Sequence, residues 1–174
     1  LATLRTGDER ALVSLIHAYS EPLRNYLVLA VHSYDIAEDI VQSLWIWLWE
    51  NRTSLPAITN VKSYLYRAAR NRALNAVRDR RTYDRMVGDA VQESDTLLVH
   101  NTGASNAEVV STRDVLNAVI AEFRPPMREI CMLRFEQDMA YSEIAEVLGI
   151  TEVNVRMAVS RATKRLVERL REVL

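Results

Sequence analysis

One pattern dominates the chain: apolar residues recur every three or four positions, as they do along one side of an α-helix. We find no convincing alternation of apolar and polar residues, so the pattern predicts an all-α fold. An amino-terminal block predicts helices over residues 8–19, 21–33, 35–50 and 60–81. A carboxyl-terminal block predicts helices over residues 112–123, 126–137, 141–148 and 151–173.

The segment between the two blocks, residues 88–106, is rich in small and polar residues, contains two glycines and lacks a sustained helical face. Such composition is typical of a flexible linker. The sequence therefore predicts two small helical domains, residues 1–83 and 111–174, joined by a flexible acidic linker over residues 84–110.

Residues 141–166, YSEIAEVLGITEVNVRMAVSRATKRL, have the pattern of a helix-turn-helix. Ala145 leaves room for a crossing helix, Gly149 permits a turn with positive φ, and Thr151 can cap the second helix. An ordinary helical hairpin with a solvated basic face is the alternative, which the joint spacing of Ala, Gly and Val disfavours. The predicted apolar seam consists of Ile144, Leu148, Ile150, Val155 and Val159, and the predicted outward face carries Arg156, Ser160, Arg161 and Lys164.

The helix predicted over residues 35–50 is apolar around more than half of its circumference, which is typical of a central helix in a bundle. The remaining arc is polar, with Asp39, Gln42, Ser43 and Glu50 around Ile46. An apolar centre ringed by polar groups is typical of a partner-binding face. A plain solvent face with one stray isoleucine remains an equal alternative.

The helix predicted over residues 60–81 is rich in arginine, which neutralises phosphate, and in asparagine, which can read base edges. Exposed tyrosine can stack on an unpaired base, although tyrosine at helical spacing is more often part of a core. The residues available for packing are Val61, Tyr64, Leu65, Ala68, Leu74 and Val77. The residues predicted at exposed positions are Tyr66, Arg67, Arg70, Asn71, Asn75 and Arg78.

Composition narrows the possible functions. The formal net charge of −1 is uninformative as a whole, but basic residues crowd positions 62–85 and 156–171, which suggests two contacts with one polyanion. No apolar stretch is long enough to span a bilayer. The single cysteine, Cys131, lies in an apolar helical pattern that predicts a buried thiol in a reducing cytoplasm. Without a metal-binding or cofactor motif, we expect no cofactor and no enzymatic activity; an active site assembled from distant residues is the minor alternative.

Three segments in order resemble the extracytoplasmic-function (ECF) group of the bacterial sigma-70 family. DIAEDIVQSLWIWLW resembles region 2.2, VKSYLYRAARNRALNAVRDRR resembles regions 2.3 and 2.4, and the segment from RPPMREICMLRF through SRATKRL resembles region 4. The resemblance implies binding to core RNA polymerase through Asp39, Gln42, Ser43 and Ile46. It implies minus-ten promoter contacts by Lys62, Tyr66, Arg67, Arg70, Asn71, Asn75 and Arg78. It implies minus-thirty-five contacts by Thr151, Asn154, Arg156, Met157, Ser160, Arg161 and Lys164.

The same resemblance implies the partners: the β′ clamp helices and β-flap of core polymerase, promoter DNA and an anti-sigma factor. It implies a cytoplasmic protein without stable membrane insertion, which an anti-sigma partner can hold at the inner membrane face. Ser43 stands where an acid is usual, and Val153, Asn154 and Ala158 depart from the common recognition helix, so promoter preference is not carried over. A stand-alone helix-turn-helix regulator and an all-helical interaction module are the alternative functions.

Overall fold

The computed structural model describes residues 2–87, residue 116 and residues 119–173, and every regular element in these ranges is helical. The chain divides into two compact units. The amino-terminal unit comprises the described residues up to Val87, and the helices of the carboxyl-terminal unit follow residue 115. The predicted all-α fold with two small helical domains is confirmed. Most of the predicted linker, residues 84–110, lies outside the described residues.

The amino-terminal unit contains four helices: α1 (Ala2–Arg5), α2 (Glu9–Val31), α3 (Tyr34–Glu50) and α4 (Val61–Val87). α2 packs against both α3 and α4, which also pack against each other. α4 extends past residue 81, where its pattern predicted the end, and past residue 83. The core between the three long helices includes Leu23, Tyr26, Leu27, Ala37, Val41, Leu44, Leu48, Leu65, Tyr66, Ala69 and Ala73.

α2 is one continuous helix that contains Pro22, so the prediction of separate helices over residues 8–19 and 21–33 is wrong. Proline lacks a backbone N–H and costs about 3 kcal/mol inside a helix, which is why the sequence predicted a break. Directly after it, Leu23, Tyr26 and Leu27 are buried. Each such burial contributes about 1.5–3 kcal/mol, so tertiary packing outweighs the cost of the proline.

Side-chain caps fix where the long helices begin. Asp8 accepts from the backbone N–H of Arg10 at 3.0 Å at the start of α2. Ser33 Oγ accepts from the N–H of Ile36 at 3.4 Å at the start of α3, and Asn60 Oδ1 accepts from the N–H of Ser63 at 2.9 Å at the start of α4. These bonds satisfy amide groups that have no partner within the helix.

The carboxyl-terminal unit contains a helical turn at residues 119–122, then α5 (Met127–Cys131), a π-helical turn (Met132–Glu136), α6 (Tyr141–Leu148) and α7 (Glu152–Val173). The helices predicted over residues 141–148 and 151–173 are confirmed, the second beginning one residue later. Of the helix predicted over residues 112–123, the structure describes only residue 116 and residues 119–123. The buried core includes Val119, Ile120, Phe123, Cys131, Met132, Ala162 and Leu166.

The prediction of a single α-helix over residues 126–137 is wrong, because α5 widens into the π-helical turn after about one and a half turns. The N–H of Gln137 bonds to the carbonyl of Met132 at 3.2 Å, five residues back. The N–H of Met139 then bonds to the carbonyl of Leu133 at 3.0 Å, and Leu133 and Met139 are both buried. Insertion of one residue per turn changes the helical phase so that these side chains share the core, which a uniform 3.6-residue period cannot predict.

Cys131 is buried, as predicted, and burial raises the pKa of its thiol to about 12. The thiolate is therefore scarce at neutral pH, and the cysteine acts as a small apolar core residue. None of the described helices combines the length and the apolar character needed to cross a bilayer.

Candidate functional site

The outward side of α3 is a polar strip with an apolar centre. Asp39, Gln42 and Ser43 are exposed, and Ile46 between them is 60% exposed. The opposite side of the helix is buried against the unit and contains Ala37, Ile40, Val41, Leu44, Trp45 and Leu48. The predicted exposure of all four candidate polymerase contacts is confirmed, while their role stays a prediction.

Two residues of this strip have local partners. Gln42 Nε2 donates to Glu38 Oε1 at 3.1 Å, and Ser43 Oγ donates to the backbone carbonyl of Ile40 at 2.9 Å. The serine hydroxyl therefore retains acceptor capacity toward a partner, since its own proton is already used. Around Ile46 the strip thus offers the carboxylate of Asp39, the amide of Gln42 and the hydroxyl oxygen of Ser43, with the exposed carboxylate of Glu50 one turn further on.

The outward side of α4 carries four exposed polar residues, Arg67, Asn71, Asn75 and Arg78. At about 100° per residue these four lie within about 80° of the helix circumference. They therefore form a strip that one nucleic-acid strand can follow. Lys62 and Arg70 are half-buried and lie outside this strip.

Tyr66, which the sequence placed among the exposed candidates, is fully buried, so that expectation is wrong. Its ring centroid lies 5.3 Å from that of Tyr26, a tilted aromatic contact between α4 and α2. Leu74, predicted to pack, is instead 51% exposed, and Ala69 and Ala73 occupy the packed side. Close packing of α2 against α4 explains both corrections. The small side chains of Ala69 and Ala73 allow the two helices to approach, and the side of α4 that contains these alanines is therefore the side that becomes buried.

Two arginines without a predicted role contact two of the tryptophans of α3. The Arg52 guanidinium lies 4.3 Å from the Trp49 ring, and Arg72 lies 4.9 Å from the Trp47 ring. Burial lowers the pKa of Arg72, which nevertheless stays charged because an arginine ionises so far above neutral pH. These cation–π contacts connect the 51–60 loop and α4 to the end of α3. Arg72 and Trp47 lie far apart in sequence and carry no local pattern, and Arg52 lies beyond the predicted end of the helix, so sequence reasoning missed both contacts.

The turn between α6 and α7 has the predicted helix-turn-helix geometry. Gly149 adopts φ of 68°, and the N–H of Ile150 bonds to the carbonyl of Ala145 at 3.1 Å. Thr151 Oγ1 accepts from the N–H of Asn154 at 3.3 Å, which confirms the predicted cap of α7. Of the predicted seam, Ile144, Leu148, Val155 and Val159 are buried and Ile150 is half-buried.

The outward side of α7 is exposed along its length. Burial of Val155, Val159, Ala162 and Leu166 orients the opposite side toward solvent. The predicted outward positions of Arg156, Ser160, Arg161 and Lys164 are confirmed, and the other candidates, Thr151, Asn154 and Met157, are exposed as well. The role of all seven in DNA contact stays a prediction.

An open groove of about 470 Å³ runs along this face, with Tyr141 at one side and Ser160 and Lys164 at the other. The guanidinium of Arg156 lies 5.9 Å from the Tyr141 ring, and its Nη2 donates to Glu152 Oε1 at 3.0 Å. Arg134 lies 5.4 Å from the same ring. An exposed ion pair of this kind contributes at most about 1 kcal/mol, so Arg156 can leave Glu152 for a base or phosphate at little cost.

No cluster of His, Cys, Asp and Glu side chains suited to a metal ion occurs within the described ranges.

Both units match known protein regions. Residues 15–83 match Sigma-70 region 2, and residues 113–166 match Sigma-70, region 4. The chain belongs to the sigma-70 family. The two matches lie in the expected order, and together they cover more than half of the chain.

Proteins similar to this chain include sigma factors of the ECF group. It is 24% identical over 148 residues to the "ECF RNA polymerase sigma factor SigM" of Bacillus subtilis, covering 85% of this chain and 88% of that protein. Two solved structures share the fold: CnrH in complex with the cytosolic domain of CnrY, with a TM-score of 0.64, 18% identity and coverage of 98% and 94%; and RpoE from Bartonella quintana in complex with the anti-sigma factor NepR, with a TM-score of 0.62, 24% identity and coverage of 94% and 96%.

The function follows from the pair of regions. A sigma factor with regions 2 and 4 directs promoter-specific transcription initiation, and its partners are core RNA polymerase and promoter DNA. A stand-alone helix-turn-helix regulator has no use for region 2, so that alternative is not favoured. Sigma factors are not enzymes, and the exposed faces of α3, α4 and α7 are where binding surfaces are to be sought.

Replacement of Gly149 tests the turn that orients α7. A Cβ built at this position meets nothing within 4 Å, so the cost comes from the positive φ alone. We expect Gly149→Ala to destabilise the carboxyl-terminal unit by about 1–2 kcal/mol, and Gly149→Asn by less, because asparagine tolerates this conformation. Hydrogen exchange of the α6 and α7 amides measures both changes, and equal costs for the two variants would contradict the argument.

Proposed function

We propose that this ECF sigma factor uses its three exposed faces for three separate contacts during initiation. The α3 strip binds the β′ clamp helices of core polymerase, the α4 strip and the 51–60 loop meet the minus-ten element, and the outward face of α7 reads the minus-thirty-five element. The observation that carries the proposal is Ile46, a large apolar side chain left 60% exposed among polar neighbours on a helix whose opposite side is buried.

The α3 strip has the composition of an energetically important interface centre. Isoleucine can enter an apolar depression on a partner, and the surrounding polar groups can replace their water contacts with hydrogen bonds at the rim. Ser43 in place of the usual acid removes one charge from this strip, and its hydroxyl bond to Ile40 leaves only an acceptor for the clamp. We therefore assign the charge contribution on the amino-terminal side of Ile46 to Asp39, with Glu50 on the other side.

The α4 strip suits a single strand better than a duplex. Arg67 and Arg78, about 16 Å apart along the helix, can each neutralise a phosphate, while Asn71 and Asn75 between them present both donors and acceptors to base edges. Lys62 and Arg70 lie outside the strip and are assigned to its margins, and the burial of Tyr66 removes it from the set. Capture of unstacked bases exchanges base pairing for new stacking and hydrogen bonds, so melting needs no ATP.

On α7, the reading residues lie on the first three turns of the exposed face. Met157 and Ser160 are central, and Arg156 and Arg161 flank them, an arrangement suited to the floor and walls of the major groove. Thr151 and Asn154 lie at the amino-terminal end, where backbone N–H groups favour phosphate. Lys164 extends the face by one turn toward the DNA backbone.

The proposed division of the chain is a region 2 module at residues 1–83, a linker at residues 84–110 and a region 4 module at residues 111–174. A flexible linker of about 30 residues has a relaxed end-to-end distance of about 30 Å. Promoter boxes two helical turns apart lie about 70 Å from each other, while a fully extended linker reaches about 100 Å. Core polymerase must therefore hold the linker extended.

We also propose that an anti-sigma protein restrains this factor in the cytoplasm by covering the α3 or α7 face. Support comes from RpoE of Bartonella quintana, whose solved complex contains the anti-sigma factor NepR. If the partner of this chain is a membrane protein, the complex lies at the inner membrane face.

The central test is the dependence of promoter binding on core polymerase. We expect the purified chain to bind promoter DNA weakly, because its relaxed linker cannot place both modules at once, and to support run-off transcription when core enzyme is added. Pull-down with core polymerase followed by run-off transcription measures both steps. A tight, sequence-specific complex of the chain with DNA in the absence of core would contradict the proposal.

Arg161→Ala tests the reading face of α7. We expect a loss of about 1–3 kcal/mol in use of promoters with an intact minus-thirty-five box, and little change when that box is scrambled. Arg171→Ala is the matched control, because it removes the same charge about 15 Å further along the helix. Run-off transcription by reconstituted holoenzyme measures the effect, and equal losses for both variants on both templates would show that α7 contributes charge alone.

Asp39→Ala tests the polymerase-binding face of α3. We expect about tenfold weaker affinity for core enzyme, with binding of a preformed holoenzyme to DNA unaffected. Glu9→Ala on α2 is the control, since it removes one exposed carboxylate from another helix of the same unit. Competition for core against a labelled sigma factor provides the measurement, and unchanged affinity of Asp39→Ala would remove the clamp assignment.

A further inference from the structure

Glu38 lies beside the α3 strip and accepts two hydrogen bonds, one from α2 and one from a residue of the strip. Its Oε2 accepts from Nε of Arg24 on α2, and its Oε1 accepts from Nε2 of Gln42 one turn further along α3 at 3.1 Å. Each carboxylate oxygen therefore has its own donor, and Gln42 is connected through Glu38 to a second helix.

The carboxylate is held firmly in its charged form. Both side chains of the Arg24–Glu38 pair are largely covered, at 21% and 29% exposed, and the Arg24 guanidinium lies 5.5 Å from the Tyr34 ring. The hydrogen bond from Arg24, followed by that from Gln42, lowers the pKa of Glu38 below its ordinary value. Glu38 is consequently ionised at neutral pH and has no proton to donate.

An ionised carboxylate accepts hydrogen bonds but cannot donate them, and this fixes which end of the Gln42 amide faces it. The NH₂ group must turn toward Glu38. The carbonyl oxygen of the same amide then points away from Glu38, on a residue that is exposed in the strip. Gln42 thus presents its carbonyl oxygen on the side away from Glu38, and one of its two N–H groups is already used by Glu38, whereas a free glutamine offers both ends of the amide equally.

We propose that Glu38 is a positioning residue that turns the carbonyl oxygen of Gln42 outward, and that the polymerase meets this oxygen with a hydrogen-bond donor such as an arginine, a lysine or a backbone N–H. The inference rests on the proposed role of the α3 strip in binding core polymerase. It also gives a role to Arg24 on α2, a residue outside the strip, because its hydrogen bond holds the Glu38 carboxylate in place.

Glu38→Gln is designed to reverse the amide. The new side chain has one oxygen and one NH₂ group, and Arg24, as the charged donor, takes the oxygen because charge-assisted bonds are the stronger ones. The NH₂ group then faces Gln42, whose amide turns to accept from it and presents its own NH₂ group outward. We expect about tenfold weaker affinity for core polymerase, the equivalent of one lost hydrogen bond.

The exchange variant Glu38→Gln with Gln42→Glu restores the outward acceptor. The glutamine at position 38 still gives its oxygen to Arg24 and its NH₂ group to the carboxylate at position 42, whose second oxygen then points outward. Net charge equals that of the unaltered chain. We expect affinity for core to return to within about threefold of the original value, since one donor–acceptor pair is regained.

The exchange separates polarity from structural support. Arg24 keeps an oxygen partner in the single and the double variant alike, so a loss that arose only from the α2–α3 connection would persist in both. Gln42→Glu alone measures what an added charge at position 42 contributes, and Glu9→Gln controls for removal of a carboxylate from the same unit.

Affinity is measured by competition for core polymerase, with thermal unfolding of each variant to verify the fold. Unchanged affinity of Gln42→Ala would remove the proposed contact and the inference with it. Weaker binding by Gln42→Ala together with unchanged binding by Glu38→Gln would overturn the positioning role alone, and failure of the exchange to restore affinity would overturn the donor assignment. If Glu38→Gln does not fold, NMR of the unaltered chain provides the test. The chemical shift of the Gln42 side-chain amide must change with pH as Glu38 is protonated, and an unchanged shift would contradict the inference.

Discussion

Burial of the apolar stripe of α2 against α3 and α4 determines which side chains of both helices face outward. Leu23, Tyr26 and Leu27 provide this contact immediately after Pro22, and their burial outweighs the cost of a proline within the helix. An amphipathic helix has one buried side, so its opposite side is fixed at the same time. The α3 strip around Ile46 and the α4 strip from Arg67 to Arg78 are therefore consequences of one packing arrangement.

The carboxyl-terminal unit obtains its outward face by another route. A single residue with positive φ, Gly149, turns the chain between α6 and α7, and burial of Val155 and Val159 then sets the rotation of α7 about its axis. Met157, Ser160 and the flanking arginines are exposed because of that rotation. A core of modest size can orient a reading helix in this way because the turn leaves few alternative arrangements.

Acidic residues lie beside the candidate contacts of both α3 and α7. Glu152 pairs with Arg156 on an exposed surface, where the ion pair is weak and easily exchanged for another anion. Glu38 differs, because its carboxylate is largely covered and bonded on both oxygens. The first arrangement leaves a cation available, whereas the second constrains an amide, and this difference in burial distinguishes a counter-ion from a positioning group.

The sequence alone was sufficient for the properties that depend on neighbours within about two helical turns: the all-helical class, the bounds of α3, α6 and α7 to within one residue, the Gly149 turn, the Thr151 cap, the buried Cys131 and the exposed strips of α3 and α7. It was insufficient where distant segments compete for the same space. The continuity of α2 through Pro22, the π-helical turn after Cys131, the burial of Tyr66 against Tyr26 and the exposure of Leu74 all depend on packing between helices. The bonds from Arg24 through Glu38 to Gln42 likewise needed the tertiary structure, because periodicity specifies which side of a helix is apolar but not which residue of another helix will meet it.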